Sequence, residues 1–131
     1  MNFLLDTDTC VFWLRGRGTV RDRLVDVGLD AVAISIITLA ELRYGAACST
    51  QPEANHQTID GFVSGVAVVE VDATVVRAFG EIKAGLRQQG LLIEDFDLLI
   101  AATARIYNLI LVTNNTKHHS RVPGLRMESW I

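Results

Sequence analysis

Cysteine is scarce, positive charge is not in excess and no apolar run is long in this chain of 131 residues. Cys10 and Cys48 form no local pair motif and lie in segments with helical patterning. That argues against a disulfide framework and predicts two reduced, buried thiols. No stretch approaches the ~20 apolar residues that a bilayer span requires. The opening MNFLLDTDTC carries no basic residues ahead of its apolar part, so the reading is cytoplasmic, with no membrane association. A formal net charge of −3 argues against a strongly basic nucleic-acid coat, but it is compatible with an acidic centre that works with a metal ion. Repeats, low-complexity segments and linkers rich in proline, glycine or serine are also missing. A single domain, 1–131, is what remains.

What the chain does have is apolar patterning. Half of its residues are apolar and the mean hydropathy is positive, high for a small protein, which predicts apolar surface covered by a second subunit or a partner. Short apolar runs alternate with longer helical patterns. Strands are expected at 2–6, 31–35, 66–71 and 109–113, with a short edge strand at 126–128. Helices are expected at 7–14, 19–27, 36–47, 52–63, 73–89 and 95–107, with Ser35 and Asp95 as N-caps. Strand and helix in alternation imply an α/β fold: a mostly parallel central sheet covered on both faces, three layers in all.

On that frame the acidic residues fall at equivalent places. Asp6 closes the first strand, Glu41 sits in the helix after the second, and Asp97 opens the late helix. In an open parallel sheet the carboxyl ends of all strands share one edge, so residues that follow different strands meet there. Three carboxylates in one cleft point to a metal site. Each also has a plainer alternative. Asp6 or Asp8 caps the first helix, and Asp95 and Asp97 sit where a helix N-terminus favours negative charge. Glu41 alone reads as a solvated face, except that it borders the stripe Ile37, Ala40, Tyr44 and Ala47, expected to face the core. The run after Asp97 is almost wholly apolar, and a charge at the mouth of a buried helix usually has a partner.

Taken in order, LLDTD at 4–8, ISIITLAELRYG at 34–45, FDLLIAATA at 96–104, LVTNN at 111–115 and RVPGLRMESW at 121–130 resemble the PIN-domain ribonuclease toxins of the VapC type, which pair with VapB antitoxins. The resemblance spans nearly the whole chain. It implies a PIN-like three-layer α/β/α domain in which Asp6 and Asp97 bind metal and Glu41 completes the acidic cluster as a further metal-binding acid. Asn115 falls where many relatives carry a fourth acid and joins the implied catalytic set. Lys117, His118 and His119 depart from a stretch that often carries an acid and an aromatic. A solvated loop is the plain reading of the two histidines, RNA phosphate binding the sharper one, and zinc ligation the weakest, because adjacent histidines seldom converge on one ion.

The resemblance implies a Mg²⁺-dependent endoribonuclease, with Mn²⁺ as an alternative ion, that cleaves single-stranded or looped RNA and leaves a 5′-phosphate and a 3′-hydroxyl. A transfer RNA is the leading substrate. Hard divalent cations favour carboxylate oxygens, which suits three acids and no cysteine ligand. The implied partners are a VapB-like antitoxin, whose tail presents a basic side chain to the acids, and a second copy of the chain packed through the helices around Ile37 and Phe62.

Acids alone do not hold RNA. Arg15, Arg17, Arg21 and Arg23 cluster after the first helix, and Lys117 and Arg121 follow the fourth long strand. Of these, Arg15, Arg17, Lys117 and Arg121 are the candidate RNA contacts. Phe12 and Trp13 could stack on bases, but core or interface packing is the better expectation for them. Two rival functions remain at this stage. One is a non-catalytic RNA- or protein-binding module with a degenerate acidic site. The other, a haloacid-dehalogenase-like phosphatase suggested by Asp6-Thr7-Asp8, leaves Glu41 without a task.

Overall fold

The computed structural model describes residues 1–131. Five short strands, β1 (Phe3–Leu5), β2 (Val32–Ser35), β3 (Ala67–Val69), β4 (Ile110–Val112) and β5 (Met127–Glu128), form one sheet in the order β3-β2-β1-β4-β5. Every pairing is parallel, so the sheet is wholly rather than mostly parallel. Seven α-helices connect the strands: α1 (Thr7–Leu14), α2 (Val20–Val27), α3 (Ile36–Ala47), α4 (Pro52–Val63), α5 (Ala73–Gln88), α6 (Asp95–Ile106) and α7 (Thr116–His119). No helix is long and apolar enough to cross a membrane.

The three layers follow from the two-residue period of the strands. Leu4 of β1, Ala33 of β2 and Leu111 of β4 point to one face, where they pack with Val75, Ile82 and Leu86 of α5 and Leu98 and Ala101 of α6. Their neighbours Leu5, Ile34 and Val112 point to the other face, into a cluster with Cys10, Leu24, Leu42, Ile59 and Phe62. Because both faces are covered, the central strands are continuously apolar. The small residues of α6, Ala101, Ala102 and Ala104, are fully buried and let this helix lie close to the sheet.

Several expectations need correction. The buried stripe of α3 is Thr38, Leu42 and Ala46, whereas Ala40, Tyr44 and Ala47 are exposed. Both sets have helical spacing, and apolarity alone does not tell the core face from an apolar outer face. Cys10 is buried as expected, but Cys48 caps the carboxyl end of α3 and is exposed. Phe62 is buried against Trp13, with ring centroids 4.3 Å apart, so both rings pack within the chain, as the packing expectation for Trp13 has it. The N-cap of α6 is Glu94 rather than Asp95: Glu94 has extended backbone and its carboxylate accepts the Asp97 N–H at 3.2 Å. A loop was expected at 116–119, where the chain forms the single turn α7.

Candidate functional site

Asp6 is the first residue past β1. Its backbone N–H donates to the Val112 carbonyl at 3.0 Å, which extends the ladder one residue beyond the strand, and its carboxylate accepts the Thr9 N–H at 2.9 Å as the N-cap of α1. The capping reading is therefore correct for Asp6. One carboxylate oxygen suffices for the cap, so the same side chain keeps capacity for another ligand. Burial pushes the Asp6 carboxyl above its ordinary pKa, opposed by hydrogen bonds from Thr113 and Thr9, with the Asp8 charge adding to the rise.

Asp97, in the first turn of α6, is raised to about 6. Burial is the largest cause. The remainder comes from Glu94, then Glu41, Asp6 and Asp8, so four further carboxylates lie near enough to Asp97, at the carboxyl edge of the sheet, for their charges to disfavour its ionised form. Asp6 and Glu41 thus lie within electrostatic reach of Asp97, as do Glu94 and Asp8. Asp8 was visible in LLDTD only as an alternative cap. Glu94 carried no signal beyond standing three residues before Asp97, the spacing of an N-cap to the third helical position.

Glu41 reaches this edge from α3, one and a half turns in. The Thr7 hydroxyl lies 2.6 Å from Glu41 Oε1 and 3.3 Å from the Thr38 hydroxyl, so Glu41 is tied to the residue that follows Asp6. No three Asp, Glu, His or Cys side chains stand close enough together to form a ready-made metal chelate. The donors are nevertheless all oxygen, with Asp6 buried and Glu41 and Asp97 partly exposed, which suits a hard cation that retains several of its waters.

Asn115 is placed by β4 and α7. Its N–H donates to the Thr113 hydroxyl at 3.0 Å, next to Asp6, while its side chain faces His118, with Nδ2 and Nδ1 2.8 Å apart. The two histidines part company. His118 is exposed, but His119 is 1 % exposed, with Nδ1 on the Asn115 carbonyl at 3.2 Å and Nε2 without a partner. A solvated loop is thus the wrong reading for His119. Burial, assisted by the His118 charge, lowers its pKa to about 4.

Among the basic residues, Arg15 lines a groove of about 330 Å³ together with Thr7 and Glu41. Arg17 and Lys117 are exposed, and Arg121 donates to the Leu92 carbonyl at 3.2 Å, in the loop that leads to Glu94. Arg21 and Arg23 are otherwise engaged. Arg21 donates to the Trp13 carbonyl, and Arg23 pairs with Glu128 at 2.9 Å and lies over the Trp130 ring.

Known proteins resemble this chain over nearly its whole length. A family model described as PIN domain matches residues 3–125. The chain is 43% identical to the tRNA(fMet)-specific endonuclease VapC of Shigella flexneri, covering 99% of this chain and 98% of that protein. It is 36% identical to ribonuclease VapC2 of Rickettsia felis, with 99% and 98% covered. Among solved structures, the DNA-bound VapBC complex of Salmonella typhimurium contains a chain that superposes with a TM-score of 0.94 at 36% identity, covering 100% of this chain and 99% of that one.

Proposed function

This chain belongs to the PIN-domain family, and on that premise we propose that it is the toxin of a VapBC-type pair: a Mg²⁺- or Mn²⁺-dependent endoribonuclease that acts in the cytoplasm on single-stranded or looped RNA. The observation that carries the reading is that Asp6, Glu41, Asp8 and Glu94 lie near enough to Asp97, at the carboxyl edge of a parallel sheet, for their charges to raise its pKa. Full-length identity to proteins named as ribonucleases supports the reaction class, and the name of the Shigella flexneri relative supports a transfer RNA substrate.

The residues that would hold the cation are Asp6 and Asp97, with Glu41 beside them. When bound, the divalent ion neutralises phosphate charge and acidifies water, the chemistry that phosphodiester hydrolysis needs. Asp6 is held by the backbone of β1 and the cap of α1, so its carboxylate is fixed before any ligand arrives. Asp97 is crowded by like charges, and a cation relieves that repulsion. Arg15, which lines the groove, together with Arg17, Lys117 and Arg121, would hold the phosphates of the RNA.

The groove beside Glu41 has apolar walls, including Val11 and Leu14 of α1, Leu42 and Ala46 of α3, and Ile59 of α4. It suits a segment of a VapB-like antitoxin whose basic side chain reaches the acids, so that one chain blocks both metal and substrate. Chains similar to this one occur in the DNA-bound VapBC of Salmonella typhimurium and in VapBC2 of Rickettsia felis, which supports a partner of this kind. A homodimer is part of the same proposal. The exposed face of α3, where Tyr44 is 73% exposed between Ala40 and Ala47, is a candidate surface.

The test is digestion of a transfer RNA pool by the purified chain with Mg²⁺, followed by chemical identification of the new ends. Discrete fragments with 5′-phosphates and 3′-hydroxyls support the reading. RNA that is retained but never cut favours the binding module instead.

A further inference from the structure

We propose that Thr7 is a positioning residue for Glu41, through a relay of two hydroxyls that runs from Thr38 to Thr7 to the carboxylate. This deepens the nuclease reading above and rests on it. Thr7 and Glu41 are 34 positions apart, in α1 and α3, yet the Thr7 Oγ1 to Glu41 Oε1 distance is 2.6 Å, a short contact to an ionised acceptor. A threonine hydroxyl has one proton. Given to the carboxylate, it leaves Thr7 only as an acceptor toward Thr38, whose hydroxyl lies 3.3 Å away. Thr38 is fully buried on the inner face of α3, so the far end of the relay is held by the core.

The arrangement bears on the cleft in two ways. Glu41 is partly exposed and has several freely rotating bonds, so without a partner its carboxylate would sample solvent-facing rotamers. The Thr7 bond fixes one oxygen and leaves Oε2 available to another ligand. Thr7 also follows Asp6 directly and is the first residue of α1, so the tether sets Glu41 relative to Asp6 through a single peptide unit. The β-branch of threonine restricts its rotamers where serine would move more freely.

The test compares wild type, Thr7→Val and Thr7→Ser, with Mn²⁺ binding measured by water-proton relaxation and RNA cleavage measured as separate kcat and KM. Valine has nearly the same shape and no hydroxyl, and a thermal melt checks that it folds. Loss of a hydrogen bond that orients a ligand typically weakens metal affinity or activity by about 10- to 100-fold. Thr7→Val is expected to bind Mn²⁺ about tenfold more weakly and to lose kcat with little change in KM, and Thr7→Ser is expected to restore most of both. The assignment is overturned if Thr7→Val matches wild type in Mn²⁺ binding and kcat, or if Thr7→Ser is as impaired as Thr7→Val. A wild-type chain that neither binds Mn²⁺ nor cuts RNA overturns the nuclease reading and with it this assignment, whereas an active wild type matched by Thr7→Val overturns this assignment alone.

Discussion

Asn115 directs its side chain to His118: Nδ2 lies 2.8 Å from the ring Nδ1, and Oδ1 accepts the His118 N–H at the start of α7. An amide engaged in this way shapes the rim of the cleft more than it feeds the acidic cluster. Asn115→Ala is therefore expected to destabilise the fold by about 1 kcal/mol through the lost cap, measured by denaturant titration. Its loss of RNA cleavage should be far smaller than that of Asp97→Ala. Equal losses in the two variants would make Asn115 a direct participant.

Asp97 gives a pH dependence opposite in sign to that of a salt-bridged carboxylate. Its folded pKa is raised from 3.8 to about 6, so the folded state holds the proton more tightly than the unfolded one. The stability this confers is fully present below 3.8 and is lost as pH rises through about 6. Metal-free Asp97→Asn should consequently be more stable than wild type at pH 7, by about 1 kcal/mol after allowance for solvent screening of a half-exposed group. The difference should vanish near pH 4. Thermal melts of both proteins across this range, in chelator, make the measurement.

His119 acts in the opposite sense. Its pKa falls from 6.5 to about 4, so the stability of its neutral form is present above 6.5 and is lost as pH drops from there toward 4. Its Nε2 is also buried without a partner. His119→Phe keeps a planar ring and removes both burdens, so its advantage over wild type should grow through this window to at most about 3 kcal/mol. A constant difference across the window would show that His119 does not titrate as its burial implies.

The basic rim divides into free and engaged residues. Arg15 lines the groove with Glu41, whereas Arg23 is held by Glu128 and Trp130. Arg15→Ala is expected to raise KM for RNA and to reduce the salt slope of binding by about 0.7, the value for one single-strand phosphate contact. Arg23→Ala should leave the slope unchanged and cost about 1 kcal/mol of stability or less.

The fold was legible because the strands alternate between two apolar faces. Leu4 and Leu5, or Leu111 and Val112, serve opposite layers, so continuous apolar runs signal a sheet covered on both sides. The nearness of Asp6 and Glu41 to Asp97 was legible for a related reason, since Asp6 follows the first strand, Glu41 lies in the helix after the second and Asp97 opens a later helix. That of Glu94 and Asp8, both exposed, was not, because spacing along the chain does not show which neighbouring charges come near Asp97 in three dimensions. The outer stripe of α3 misled in the same way: Ala40, Tyr44 and Ala47 have the spacing of a core face, yet the sheet packs on the side of Thr38, Leu42 and Ala46. His119 was hidden because burial of an imidazole depends on the unforeseen turn of α7.

The central claim is that the acids around Asp97 cut RNA with a divalent ion. Its most direct test is cleavage of one transfer RNA pool by three samples in parallel: wild type with Mg²⁺, wild type with EDTA, and Asp97→Ala with Mg²⁺. The expected result is discrete fragments in the first sample alone, with Asp97→Ala slower by about a hundredfold or more, because the several kcal/mol of stabilisation supplied through the ion would be lost. Fragments that persist in EDTA, or an Asp97→Ala protein that cuts as fast as wild type, would contradict the account.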